Sequence, residues 1–234
     1  VLIVLLLVGN SFVSAMVSSR AIAHGPSLIT ERARIFQYAF TIVLEFFLLF
    51  LVWIGLRLKQ VKIRELIGGR WATPEAFLLD GAIAAGFWVT AFAVLAGMSW
   101  VVGLTKASQV EASKKLAEAL APHSFVGLAL FISLSIIAGF VEEIIFRGYL
   151  QRQLGALTGN IYVGLLVSAA VFGASHGYEG TRRMIVIFVF GAMFGSLALW
   201  RKSLRPGMMA HAWHDAFSGV ILFLVARKVF PSLP

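Results

Sequence analysis

Cysteine is absent from this 234-residue chain. That excludes disulfides, a thiolate metal site and a cysteine nucleophile, and it leaves the redox compartment unread. Charge is nearly as scarce, at 13% of residues, where a soluble domain carries about 25%. Long linkers, low-complexity tracts and internal repeats are also missing, so one domain over residues 1–234 is the simplest organisation. What remains is apolar: 59% of residues are hydrophobic, and the runs recur from end to end. The solvent for most of this protein is lipid.

A membrane span needs about 20 mainly apolar residues. Seven stretches qualify as candidates: 1–19, 35–56, 76–102, 125–150, 161–176, 184–200 and 208–226. Backbone groups cannot stay unpaired in hydrocarbon, so these should be helices, giving an all-α, polytopic membrane bundle. A barrel would need alternating strands of about ten residues, and none is visible. Residues 108–120 read differently. Val110, Leu116, Ala117 and Leu120 oppose Glu111, Lys114, Lys115 and Glu118, the pattern of one amphipathic surface helix that Pro122 ends.

The 20 Lys and Arg outnumber 11 Asp and Glu. They sit in short connectors, above all Arg57, Lys59, Lys62, Arg64 and Arg70, and so read as anchors against anionic headgroups rather than a nucleic-acid surface. Seven spans would place ten basic residues on each side, so orientation is not set by their count. Short loops and an Ala/Gly-rich chain suit a prokaryotic cell membrane.

Ionisable groups inside a span cost roughly 2.5–3.5 kcal/mol each on insertion scales, so they mark function by default. Three clusters stand out late in the chain. In Glu142-Glu143-Ile144-Ile145-Phe146-Arg147, Glu143 and Arg147 share a helical face and can pair. Glu142 then points about 100° away, free to act as a general base. His176 ends a run of small residues, with Phe172 one turn back to wall off its imidazole. His211 and Asp215 are one turn apart and can converge on one point, with His214 either joining them or lying at the interface. His24 and His123 read as surface residues. Glu45 and Asp80 lie in or beside spans without a motif around them, and Gly191 and Gly195 are spaced to pack helices within or between chains.

Such a set supports water activation by Glu142 with His176, directly or through a divalent metal. Zinc is the first candidate metal, held by Glu142, His176, His211 and Asp215. Without a metal, His211 and Asp215 would stabilise an oxyanion. The zinc signature His-Glu-x-x-His and the aspartyl Gly-x-Gly-Asp pattern are both absent. Ser175 follows Gly173 much as a rhomboid nucleophile would, but His176 stands where that motif needs glycine.

These three ordered motifs resemble those of the CPBP (Abi) family of intramembrane proteases, which includes type II CAAX prenyl endopeptidases and bacteriocin self-immunity proteins. The resemblance covers about residues 125–223, leaving 1–102 as accessory helices. It implies an endopeptidase acting on a hydrophobic or prenylated, CAAX-like peptide that arrives from the bilayer. Glu142 and His176 would activate water, His211 and Asp215 would steady the transition state, and Glu143, Arg147 and Phe172 would support them. Asp215 departs from the commoner Asn, and its extra negative charge suits a metal ligand better than an oxyanion donor. A non-catalytic immunity or scaffold protein and a proton-coupled transporter are the competing readings.

Depth arithmetic pulls against a shared site. At 1.5 Å per residue, Glu142 lies roughly 25 Å beyond Phe125, near the surface opposite His176. A common site therefore requires the helix to enter the bilayer late and Arg147 to sit in a water-filled hollow.

Overall fold

The computed structural model describes residues 29–229, and within them every regular element is helical. The first candidate span, 1–19, and His24 lie outside the described residues. The helices are α1 (Glu31–Leu58), α2 (Ile63–Ile67), α3 (Pro74–Val101), α4 (Ala107–Leu120), α5 (Phe125–Glu142), α6 (Gln151–Thr158), α7 (Ile161–Ser175), α8 (Thr181–Arg201) and α9 (Arg205–Val229). A π-helical segment, Glu143–Leu150, joins α5 to α6, and a 3-10 turn, Gly177–Glu179, follows α7. Among the described residues five helices are long and apolar enough to cross a membrane, and α7 is a shorter apolar helix of 15 residues. Large side chains stand outward along them, including Phe36, Phe40, Leu78 and Phe92, as a lipid-facing surface requires.

Local signals set the helix starts. Thr30, Thr73, Ser124 and Asn160 each accept a hydrogen bond from a first-turn amide, and Pro74 occupies the first position of α3. Gly68 closes α2 in the left-handed region at φ 94°, where a Cβ would come within 2.8 Å of Ser203. The amphipathic α4 runs as its pattern predicts, burying Leu116 and Ala119. Its end is tied to α1: Tyr38 donates to Leu120 O at 2.6 Å and Arg34 Nε donates to Ala119 O at 3.3 Å.

The fourth candidate span does not stop at residue 150. Phe125–Thr158 forms one apolar stretch of 34 residues, roughly 50 Å of helix at 1.5 Å per residue. The polar residues that suggested an end are buried instead. Arg147 Nη2 donates to Gly191 O at 3.2 Å, and Gln151 Nε2 donates to Gly195 O at 3.4 Å. Two side chains one turn apart thus meet two glycine carbonyls one turn apart, which explains the Gly191 and Gly195 spacing as packing within the chain. It also dissolves the depth problem, because Glu142 sits midway along the long helix, not at its far end.

The core lies where α5 and the π-segment meet α1, α2, α7 and α9, around Val52, Val141, Ile145, Phe146, Phe172 and Met208. A close backbone approach joins α5 to α9: a Cβ on Gly139 would lie 2.6 Å from the backbone nitrogen of Ala212. Only glycine permits that distance, and it sets His211 beside the two glutamates.

Two isolated acids turn out to be engaged. Asp80 is fully buried and binds Arg201 at 3.1 Å, Arg205 at 2.9 Å and Trp71 Nε1 at 2.9 Å, so α3 clamps the end of α8 to the start of α9. Glu45 is treated with the site below. His123, expected at the surface, is half-buried at the junction of α4 and α5.

Candidate active site

Three elements bring the predicted residues together. The end of α5 supplies Glu142 and the adjoining π-segment supplies Glu143 and Arg147. From α7 come Phe172 and, at its end, His176. The third, α9, carries His211 and Asp215. A π-helical turn spreads its carbonyls and widens the helix, a distortion found often at functional sites.

The deepest layer is sealed. Glu143 Oε1 accepts from Arg147 Nη1 at 2.8 Å, with the two side chains 1% and 2% exposed. The Arg147 guanidinium lies 4.4 Å from the Phe172 ring centroid, 5.1 Å from Phe194 and 5.7 Å from Phe146. This corrects the expectation of a water-filled hollow around Arg147. Its charge is met by one carboxylate, one carbonyl and three aromatic faces, which solvate it where water is excluded.

That pair fixes the histidine above it. His211 Nδ1 lies 3.2 Å from the same Glu143 oxygen, and a carboxylate held by arginine can only accept, so Nδ1 carries the proton. Nε2 is thereby aimed at Glu142 Oε2, 3.7 Å away, and Asp215 Oδ2, 3.6 Å away. Both separations exceed a direct hydrogen bond. The ring stacks on Phe194 at 5.1 Å and meets Phe172 edge-on at 6.0 Å.

His176 is fixed in the same way. Its Nδ1 lies 2.9 Å from the carbonyl oxygen of Phe172, which can only accept. Nδ1 is therefore protonated, and in the neutral ring this leaves the lone pair on Nε2, the tautomer a base or water-orienting group needs. The ring sits 4.9 Å from Phe172. Both imidazoles thus flank one phenyl ring, and their centroids are no further apart than those two distances laid end to end. The Ser175 hydroxyl donates to Phe172 O at 2.8 Å, a bond within its own helix. His214 packs on Phe190 at 4.9 Å, outside the cluster.

Glu142 and Asp215 keep 17% and 34% of their side-chain surface exposed, whereas His211 keeps 4%. The site is therefore stratified, with a dry tier of Glu143, Arg147, Phe172 and His211 beneath a more open tier of Glu142, His176 and Asp215.

Two further residues face this cluster. Glu45 on α1 is 7% exposed and has Glu142, His211 and Asp215 as its charged neighbours. One of its carboxyl oxygens is buried without a hydrogen-bond partner. Its signal was a lone acid inside a span, which is reason enough to suspect function. Tyr178, in the 3-10 turn, has its ring 6.0 Å from His176. Burial pushes its phenol well above the usual value, and Glu179, Glu142 and Asp215 add to the rise, so it stays a hydroxyl. No sequence pattern marks it apart from its place two residues after His176.

Among the described residues no three His, Cys, Asp or Glu side chains are arranged to hold an ion. With each Nδ1 turned to an oxygen acceptor, Nε2 is the nitrogen left to face the open tier, and that of His211 lies 3.7 Å from Glu142 and 3.6 Å from Asp215.

Residues 123–217 match the family model for the Rce1-like type II CAAX prenyl endopeptidases. The matched segment is Rce1-like. It contains all seven predicted site residues, from Glu142 to Asp215, so the Rce1-like segment and the geometric cluster coincide. Glu45 and the Asp80 clamp come from helices that precede it. No curated protein and no solved structure matches the chain.

Proposed function

We propose that this protein is an intramembrane endopeptidase that hydrolyses a peptide bond in a prenylated, CAAX-like substrate. The observation that carries this reading is the placing of His176 and His211 against Phe172, with Glu142 beside His211, inside a segment matched to CAAX prenyl endopeptidases.

The chemistry follows from the donors and acceptors. A water lying between the Glu142 carboxylate and His176 Nε2 can donate to both. Glu142 takes one proton as the water oxygen bonds to the scissile carbonyl carbon. The oxyanion that forms accepts from Nε2–H of His211, which serves as an imidazolium with Glu143 on its other nitrogen and Asp215 beside it. The carbon–nitrogen bond then breaks and the protonated Glu142 returns its proton to the leaving amine. Asp215 supports the imidazolium charge rather than donating to the oxyanion, a role that needs its negative charge. The substrate's lipid chain reaches the site along the lipid-facing helices.

The test is cleavage of a prenylated CAAX peptide by the purified protein in nanodiscs. Glu142→Gln and His176→Ala should each slow cleavage by about 10²–10⁴-fold, the usual worth of a general base, without lowering the unfolding temperature. Full activity in a folded Glu142→Gln protein rejects this mechanism. No cleavage by the wild-type protein favours an immunity or scaffold role.

A further inference from the structure

A hollow lies beside the candidate site. It encloses about 320 Å³ between α4 and the turn after α7, near the lower end of the range for ligand pockets. Gln109, Ser113 and Leu116 of α4 form one wall, and Tyr178, Arg182 and Arg183 form the other. Tyr178 belongs to both spaces, since its ring also sits 6.0 Å from His176.

Its charge is unbalanced. Arg183 Nη1 pairs with Glu179 Oε2 at 3.1 Å, which neutralises both. Arg182 Nη1 donates to Val102 O at 2.7 Å and Gly103 O at 3.2 Å, and among the described residues it meets no carboxylate. Two backbone carbonyls fix its guanidinium while its remaining N–H donors and its whole charge stay available, the geometry that suits a carboxylate. Gly103 makes room for it: at φ 73° it lies in the left-handed region, and a Cβ there would come 2.7 Å from Arg182 Nη1.

We infer that this hollow binds the free C-terminal carboxylate of the substrate, with Arg182 as its receptor. The inference rests on the proposed endopeptidase reading. In a CAAX-like peptide three residues follow the prenylated cysteine, and an extended tripeptide spans roughly 10 Å. A terminus held by Arg182 lies within that reach of the scissile bond. Arg182 is then a specificity-determining residue, which favours bonds a short distance from a free chain end over bonds within a longer protein.

The experiment measures binding and cleavage on the same samples. A fluorescent prenylated CAAX peptide, as the free acid and as the C-terminal amide, is titrated against the full chain in nanodiscs. Anisotropy gives affinity and product mass gives cleavage. The acid should bind at least about tenfold more tightly than the amide, the worth of one charge-assisted hydrogen bond. Arg182→Gln should remove that preference. Because Arg182 also braces Gly103, Ser113→Trp provides a second variant that fills the hollow from α4, and it should weaken the acid more than the amide. Equal binding of acid and amide by the wild-type protein overturns the inference. An anionic headgroup as the true occupant would give that same equality, with both affinities falling as phosphatidylglycerol replaces phosphatidylcholine. A peptide that binds with the acid preference but is never cleaved would refute the protease reading and leave the carboxylate site standing.

Discussion

Replacing Gly139 by alanine should damage the site through packing alone. The added methyl would lie 2.6 Å from the Ala212 backbone nitrogen, 2.9 Å from its Cα and 3.0 Å from its Cβ. None of these atoms is the end of a flexible side chain. To restore an ordinary 3.4 Å contact, α5 and α9 must part by about 0.8 Å, the difference from the 2.6 Å approach. Ala212 adjoins His211, so the same retreat stretches the 3.2 Å bond between His211 and Glu143 beyond hydrogen-bond range. Overpacking of this kind costs about 1–3 kcal/mol, and a misplacement near 1 Å can cost about 10²-fold in rate. The assay is thermal unfolding in detergent beside turnover of a prenylated peptide. Gly86→Ala and Gly97→Ala on α3 are matched controls, because a Cβ there meets nothing within 4 Å. If Gly139→Ala is as stable and active as those controls, the α5–α9 contact does not position His211 and the reasoning fails.

Other outcomes follow from the same geometry. Arg147→Met strands the buried Glu143 carboxylate and should cost about 3–5 kcal/mol, while the Glu143→Gln, Arg147→Met double variant should recover most of it; equal losses in the two proteins would contradict the pairing. Glu45→Met removes a buried carboxyl with an unpartnered oxygen and should gain about 1–3 kcal/mol of stability while slowing cleavage; lost stability with normal cleavage would show Glu45 to be structural. Tyr178 has a folded pKa above the unfolded value of about 10, so its contribution to stability is fully present below that pH and is lost as pH rises past it. The stability difference between wild type and Tyr178→Phe should therefore change between pH 9 and pH 11, and a constant difference would show that the phenol titrates freely.

The bundle was legible because its driving force is compositional. Long apolar runs place the spans, and Thr30, Thr73, Ser124 and Asn160 before them set most helix starts. The candidate site residues stand out for the opposite reason, since charges within apolar runs are costly and Glu142, Glu143, Arg147, His176, His211 and Asp215 break such runs. Less could be read where a polar group is satisfied by a distant partner. The expected span ends at residue 150, before Gln151, because the carbonyl that accepts from Gln151 belongs to Gly195, more than 40 residues away. Asp80 looked isolated because Arg201 and Arg205 lie on other helices. The aim of the two imidazoles was also hidden, because it depends on which carbonyl or carboxylate takes each Nδ1 proton. Residue spacing carries no trace of that choice.

The site's stratification gives each tier a separate task. Below, Arg147 and the aromatic rings hold Glu143, and Glu143 aims His211. Above, Glu142 and His176 keep enough exposure to meet water and substrate. The accessory helices contribute more than anchorage, since α1 brings Glu45 to the cluster and α3 pins the start of α9 through Asp80.

Isotope labelling of the cleavage reaction reaches the core of this account most directly. A prenylated CAAX peptide is incubated with the protein in ¹⁸O-water and the fragments are weighed. One ¹⁸O should enter the new carboxylate of the prenylcysteine fragment and none the released tripeptide, with labelling lost in Glu142→Gln. A folded wild-type protein that leaves the peptide intact, or a Glu142→Gln protein that labels it at the wild-type rate, would contradict water activation at this cluster.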